Sequence, residues 1–345
     1  MNLLKSPDRI IGNHPAEKIY FGGTAYLGLQ THSEFQDIVC KNIKVWGTSY
    51  GSSRLANISL KAYDDCENFL AAFIKSEAAF TVSSGMLAGK IVIDELKKTN
   101  DVFYHFEKNH EAILVKDSLP FYVDNQLHPR LIDSKNEKIV IVNDGVLTGA
   151  VKPFEQSILD KISSSKNITL VLDESHSLGI LGQNGAGIFS EISHKNVFQK
   201  ISIASLGKAM GVTGGIIAGN KNFVDAIKSN KIFSSSAGMN PAFAAALPEA
   251  KSLIAVQHQI LQKNLIYIKD NLTKNNLYKF NENYPLIYPQ IDGLYRYLAS
   301  KNIEITNFKY ATSFLNRIVL TANHTTSDLD YLISALNDFA TIKTP

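Results

Sequence analysis

The chain has 345 residues, 45% of them hydrophobic, enough to bury a large core, so one large and one smaller domain is the natural expectation. A formal net charge of +3 with interspersed signs gives no basic face for nucleic acid or an anionic membrane. The cysteines, Cys40 and Cys66, make no disulfide framework and sit in no metal-ligand spacing, which fits a reducing cytoplasm and no metal centre. The opening MNLLKSPDRIIGNHP has no long apolar segment, so neither a signal peptide nor a membrane anchor is expected.

Residues 1–20 read as a loose arm, followed by a glycine-rich, turn-bounded strand, YFGGTAYLGL (20–29). Helical periodicity covers 33–45, and the Gly/Ser/Asn-rich loop 46–59 leads into a helix with Phe69, Leu70 and Phe73 on one face. Residues 78–98 read strand, Ser-Ser-Gly turn, helix. Short strands are expected at 101–105 and 119–124, with His110 opening a helix between them. Next come a strand at 138–144 ending in Asp144, a helix at 157–165, and apolar runs at 168–172, 201–204 and 214–218. Beyond Gly219 the pattern gives a helix at 223–230, a helical stretch from 242 to about 275, a strand at 316–323 and a closing helix. Strands alternating with helices imply an α/β fold with a mostly parallel sheet, its ligands at the carboxyl ends of the strands. The expected division is an N-terminal segment 1–45, a large domain 46–235 and a small α+β domain 236–345.

His110, Asp144, Asp173, His176 and Lys208 all fall at or just after strand ends. Lys208, bracketed by Gly207 and Gly211, is either a solvated loop residue or an amine made nucleophilic by its apolar surroundings. Asp173 ends a strongly apolar run and needs a partner, whether a helix start, a salt bridge or a ligand cation. His176 reads as a ligand contact or a satisfied loop histidine. Gly85 and Met86 open a helix where bare N–H groups could meet an anion, and Ser205 offers a hydroxyl or a cap. A carboxylate, an imidazole and an imine-forming amine at one sheet edge suit pyridoxal phosphate. Nucleotide hydrolysis is set aside although DESH looks like a helicase acidic box: Gly85, Gly89, Lys90 and Ile91 have the wrong spacing for a phosphate loop.

The motifs AYLGL, GTSYGSSR, DESHSLGILGQNGAG, SLGKAMG and RIVLTANH resemble those of the α-oxoamine synthases, from about Tyr20 to the C-terminal helix. The resemblance implies the aspartate-aminotransferase-like fold (fold type I), pyridoxal phosphate as cofactor and a homodimer with sites at its interface. It matches Lys208 to the imine lysine, Asp173 to the partner of the pyridine nitrogen, His176 to a histidine near the ring oxygen and His110 to the one stacked on the ring. Gly85, Met86 and Ser205 match phosphate contacts, and Ser234 and Ser235 match phosphate contacts brought from the partner subunit. Arg317 matches the arginine that binds the amino-acid carboxylate. Departures are Thr24 in place of an asparagine near that carboxylate, Asn57-Ile58-Ser59 for Ser-Gly-Thr, and Tyr63 for a histidine. Asp144 replaces a glutamate, Thr148 sits near a usual serine, and the N-terminal arm is short.

The implied reaction condenses a small amino acid with an acyl-thioester, from acyl-CoA or acyl-carrier protein, and releases CO2. An aminotransferase of the same fold and a cofactor-free regulatory homologue are the rival expectations.

Overall fold

The computed structural model describes residues 10–11, 18–99, 101–107, 109–147, 152–273, 277–310 and 313–343. Thr148 and most of the arm (1–9 and 12–17) lie outside the described residues. The chain divides into two units, one of residues 37–251 and one of residues 1–36 with 252–345.

In the first unit a seven-stranded sheet runs in the order Ala78–Val82, Gly215–Gly219, Val197–Ser205, Lys166–Asp173, Glu137–Asp144, Val102–His105, Leu119–Pro120. All pairs are parallel except those of Gly215–Gly219, which is antiparallel to both neighbours. The 206–214 connection, which carries Lys208, is too short for a parallel crossover, so the chain turns back on itself there. Ile139, Val140, Ile141 and Val142 are all fully buried, as a sheet covered on both faces requires. Val140, Val142 and Val171 alternate onto one face, against Ile91, Val92 and Leu96 of the helix Gly85–Lys97. Ile139, Ile141, Leu170 and Leu172 face the other way, against Leu131, Leu159 and Ile188. By that period of two, Asp144 and Asp173 emerge on the face that carries the helix.

Several expected elements differ. No helix opens at His110: its ring Nδ1 accepts the Ala112 N–H (3.2 Å), and residues 111–113 make a single turn. The helix expected at 157–165 is the 3-10 segment Gln156–Lys161. The strand expected at 119–124 divides at Phe121 into Leu119–Pro120, which stays in the sheet, and Tyr122–Val123, which pairs with Gln126–Leu127 in a small hairpin turned by positive φ at Asp124 and Asn125. The stretch from 242 is two helices, Pro241–Glu249 and Lys251–Asn271. The first of these packs on the helix Lys61–Ile74, so the larger unit runs past residue 235 to 251.

The second unit holds a six-stranded sheet in the order Ile10–Ile11, Lys18–Phe21, Ile303–Tyr310, Ser313–Val319, Leu286–Pro289, Tyr278–Phe280. Lys18–Phe21 pairs parallel with Ile303–Tyr310, which draws residues 18–36 into this unit rather than leaving them as a separate N-terminal segment. Phe21, Ile303, Ile305 and Ile318 share a core with Leu265, Leu298, Leu332 and Leu336 from three helices. Of the stretch 20–29 only the start is strand, since Gly23 and Gly28 adopt left-handed φ of 72° and 65°.

Candidate active site

Asp144 and Asp173 are Cα partners at the ends of neighbouring parallel strands, and both are buried. Two carboxyls so close in a poorly solvated place cannot both ionise freely. Burial, reinforced by the Asp173 charge, pushes Asp144 up to about 7, against the opposing pull of the His110 N–H and of Lys208. The His110 backbone N–H donates to Asp144 Oδ1 at 3.1 Å. His110 Nδ1 lies 3.9 Å from Asp173 Oδ2. That Nδ1 accepts from Ala112, which turns Nε2 toward the open side of the ring as its donor. Its side chain is half exposed, which leaves the ring open to a ligand.

A short relay runs from the acid to the lysine turn. Asp173 Oδ1 accepts the Ser175 N–H (3.0 Å), Ser175 Oγ accepts the Ser205 N–H (2.8 Å), and Ser205 Oγ accepts the Gly207 N–H (3.3 Å). Lys208 follows, half-buried, on a reversal closed by Leu206 N to Gly214 O (3.0 Å) and Val212 N to Leu206 O (3.1 Å). Ser84 caps the facing helix: its hydroxyl takes the Leu87 N–H and its carbonyl that of Ala88. The amides of Gly85 and Met86 are therefore outside the helix's own bonding. A Cβ on Gly85 would lie 2.8 Å from the Ser205 backbone, and one on Gly215 would lie 2.2 Å from Ser84 O, so only glycine fits either place.

The structure thus gathers His110, Asp144, Asp173 and Lys208, with Ser205 and Gly85 joined to them through backbone contacts. His176 is half-buried on the turn after Asp173. Ser234 and Ser235 line a cavity of about 520 Å³ with the loop Thr48–Ser53, and the Ser234 hydroxyl donates to Lys231 O within its own short helix. Arg317 and Thr24 belong to the other unit.

Sequence reasoning missed Ser175, although it lies inside DESH, and also missed the use of Glu174. That carboxyl is fully buried, with its pKa raised by burial, and it takes Ser202 Oγ (2.8 Å), Ser177 Oγ (3.2 Å) and the amides of Ile188 and Phe189. It ties the glycine-rich loop down. Arg54 was also missed: its guanidinium lies over the Tyr63 and Phe80 rings (4.2 and 4.5 Å) and bonds Glu67 (2.6 Å). Tyr63 donates to Met239 O (2.7 Å), so the residue that departs from the family pattern braces the cavity wall.

In the second unit the motifs AYLGL and RIVLTANH hold each other: Ala322 N donates to Tyr26 O (2.9 Å) and Asn323 Nδ2 to Gly28 O (3.1 Å). Arg317 is buried on Ser313–Val319 and donates from Nη2 to Gly23 O at 3.3 Å. Thr24, half-buried, is in the same turn as Gly23.

Residues 135–336 match the family model of class I and II aminotransferases. An 8-amino-7-oxononanoate synthase of Petrotoga mobilis is 30% identical over 69% of this chain and 63% of its own length. An 8-amino-7-oxononanoate synthase 1 of Bacillus velezensis is 26% identical over 93% of this chain and 88% of its own length. Among solved structures, serine palmitoyltransferase of Sphingomonas wittichii superposes with a TM-score of 0.81 at 18% identity, covering 99% of this chain and 92% of that one. The S. paucimobilis serine palmitoyltransferase with bound PLP (pyridoxal phosphate) gives 0.79 at 15% identity, over 94% and 88%. These likenesses establish the aspartate-aminotransferase-like fold, with its mixed, mostly parallel central sheet.

Proposed function

This chain belongs to the aminotransferase class I and II family, a family of pyridoxal-phosphate enzymes, and we propose that it joins a small amino acid to an acyl-thioester, releasing CO2 and a thiol and leaving an α-amino ketone. The observation that supports this best is that Asp144 and Asp173, Cα partners at two strand ends, are joined through the Ser175–Ser205 relay to the turn that bears Lys208, so acid and amine come to one edge of the sheet.

The residues present fit the cofactor. The bare helix start at Gly85, with the Met86 amide and the Ser205 hydroxyl, would hold its phosphate, since the helix dipole and free N–H groups favour an anion. Asp173 would keep the proton on its ring nitrogen, an attraction of about 4 kcal/mol at about 4 Å and an effective dielectric near 20. His110 would cover the ring, with Asp144 beside Asp173 carrying the extra proton of the pair. Ser234 and Ser235 would reach the phosphate of the partner subunit in a cytoplasmic homodimer.

When bound, the cofactor supplies an electron sink for negative charge at the amino acid's α-carbon. Arg317 binds the substrate carboxylate through its planar fork, with Thr24 alongside. Lys208 Nζ takes the α-proton and later returns one. The His176 ring N–H donates to the acyl carbonyl oxygen as the α-carbon attacks the carbonyl carbon, the C–S bond breaks and the thiolate leaves to be protonated to the thiol. The carboxylate then departs as CO2, and its electron pair ends on the reprotonated α-carbon.

Cofactor-loaded protein given glycine or L-alanine with acyl-CoA donors of varied length should release CO2 and free thiol in equal amounts. Borohydride-reduced protein should yield a peptide modified at Lys208. Transfer of the amino group to a keto acid without CO2 release would instead make the chain an aminotransferase. Failure to take up cofactor would make it a regulatory homologue.

A further inference from the structure

The buried guanidinium of Arg317 is surrounded by phenols. The antiparallel register that pairs Leu286 with Val319 and Ile287 with Ile318 continues to set Tyr288 beside Arg317, close enough for the guanidinium to lower the phenol's pKa against burial, and Tyr20, Tyr26 and Tyr284 lie in the same field. Tyr26, Tyr284 and Tyr288 are buried, and Tyr20 is half-buried. Glu304, two residues before the Cα partner of Arg317, is bonded to Lys18.

The chemistry of this shell matters. A carboxylate seated on the guanidinium would neutralise it and fill its fork. A phenol hydroxyl offers one acceptor, fixes an orientation and leaves the positive charge to be met by something else. Burial raises the pKa of all four tyrosines, Tyr26 to about 12, so the shell stays uncharged across the working pH range although the arginine pulls the other way. Gly23 ties the guanidinium to the neighbouring strand. Gly23 accepts Arg317 Nη2 through its carbonyl (3.3 Å), and its N–H is held by Thr306 Oγ1 (3.1 Å). The Tyr20 ring lies so close to Gly22 that an added Cβ would come within 2.4 Å of it.

We infer that Tyr288, set beside Arg317 by the strand register, is the positioning residue of the carboxylate site: together with the Gly23 carbonyl, its hydroxyl holds the Arg317 fork in the orientation that receives an amino-acid carboxylate. This rests on the carboxylate-binding role proposed for Arg317. Tyr288 stands outside the reaction itself; it acts through the arginine, and its removal weakens binding of the acid without touching proton transfer.

The test uses cofactor-loaded protein and the spectral change on titration with L-alanine or with L-alanine methyl ester, which keeps the amine but lacks the carboxylate. Tyr288→Phe should weaken alanine binding about tenfold and raise its KM equally, because one hydrogen bond to a charged group is lost. Ester binding, kcat and the KM for the acyl-thioester should stay within about twofold. Equal weakening for acid and ester would mean only structural damage, and no weakening of either would mean no role; both overturn the inference. Arg317→Lys is the companion variant. If it leaves the acid-to-ester ratio unchanged, the role of Arg317 falls, and this inference with it. If it shifts the ratio while Tyr288→Phe does not, the inference alone falls.

Discussion

The two units each bury a charge-bearing cluster, and they treat charge in opposite ways. At the strand tips of residues 37–251, two carboxyls are pressed together, and Asp144 is held near neutrality by burial and by its neighbour. Around Arg317 a buried cation is surrounded by groups that stay uncharged. The first cluster is built to gain or lose a proton; the second is built to keep a fixed charge. The proposed reaction calls for a place where protons move and a place where an anion is gripped, and the two clusters offer one of each kind.

That contrast can be broken most sharply at Asp173. Asp173→Asn removes the charge meant for the ring nitrogen and should lower kcat about a thousandfold, roughly 4 kcal/mol of barrier, with little change in Tm. Steady-state rates with alanine and acyl-CoA read this directly, and a loss below tenfold would place the important charge elsewhere.

A smaller effect distinguishes the acid pair without any turnover. Asp144 titrates near 7 when folded and near 3.8 when unfolded, so between those values the unfolded chain holds fewer protons. Stability must then fall as pH rises from about 4 to about 7 and level off above, by at most about 4 kcal/mol. In cofactor-free protein Asp144→Asn, which cannot ionise, should match the parent near pH 4.5 and exceed it at pH 8 by about 2 kcal/mol. Urea midpoints at the two pH values measure this, and parallel curves would refute the shared-proton account. The smallest effect sharpens the other side. The penalty of Tyr288→Phe on alanine binding should be the same at pH 6.5 and pH 8.5, to within about 0.3 kcal/mol, since no member of its shell titrates in that range. A penalty that changes across this interval would show that the arginine shell is not electrostatically fixed.

Much of the strand-tip cluster was legible because its parts are local in sequence. A buried strand reads as an apolar run, and a polar residue at its end has few reasons to be there, which singles out Asp173, Asp144 and the SLGK turn. The aspartate-aminotransferase-like fold followed from the same runs together with the family motifs. The Arg317 shell was not legible, since Tyr20 and Tyr288 come from strands far apart in the chain and Tyr26 and Tyr284 from turns beside them, and a tyrosine in an apolar segment carries no mark of what its hydroxyl touches. Arg54 was hidden for a similar reason: a loop of glycine and serine gives no hint that one guanidinium will stack between Tyr63 and Phe80. The helix expected at His110 was lost to a side-chain-to-backbone bond, a local competitor that periodicity does not register.

The glycine contacts at the lysine reversal carry one more consequence. Gly85 abuts Ser205, and Gly215 abuts Ser84, on either side of the turn that bears Lys208. Main chain touches main chain there, so the separation of the helix tip from the lysine turn is set by the backbone and cannot be retuned by exchanging the side chains between them. If the cofactor spans those two points as proposed, it meets a gauge cut into the backbone, and analogues one bond longer or shorter between anion and aldehyde should bind more weakly than the natural one.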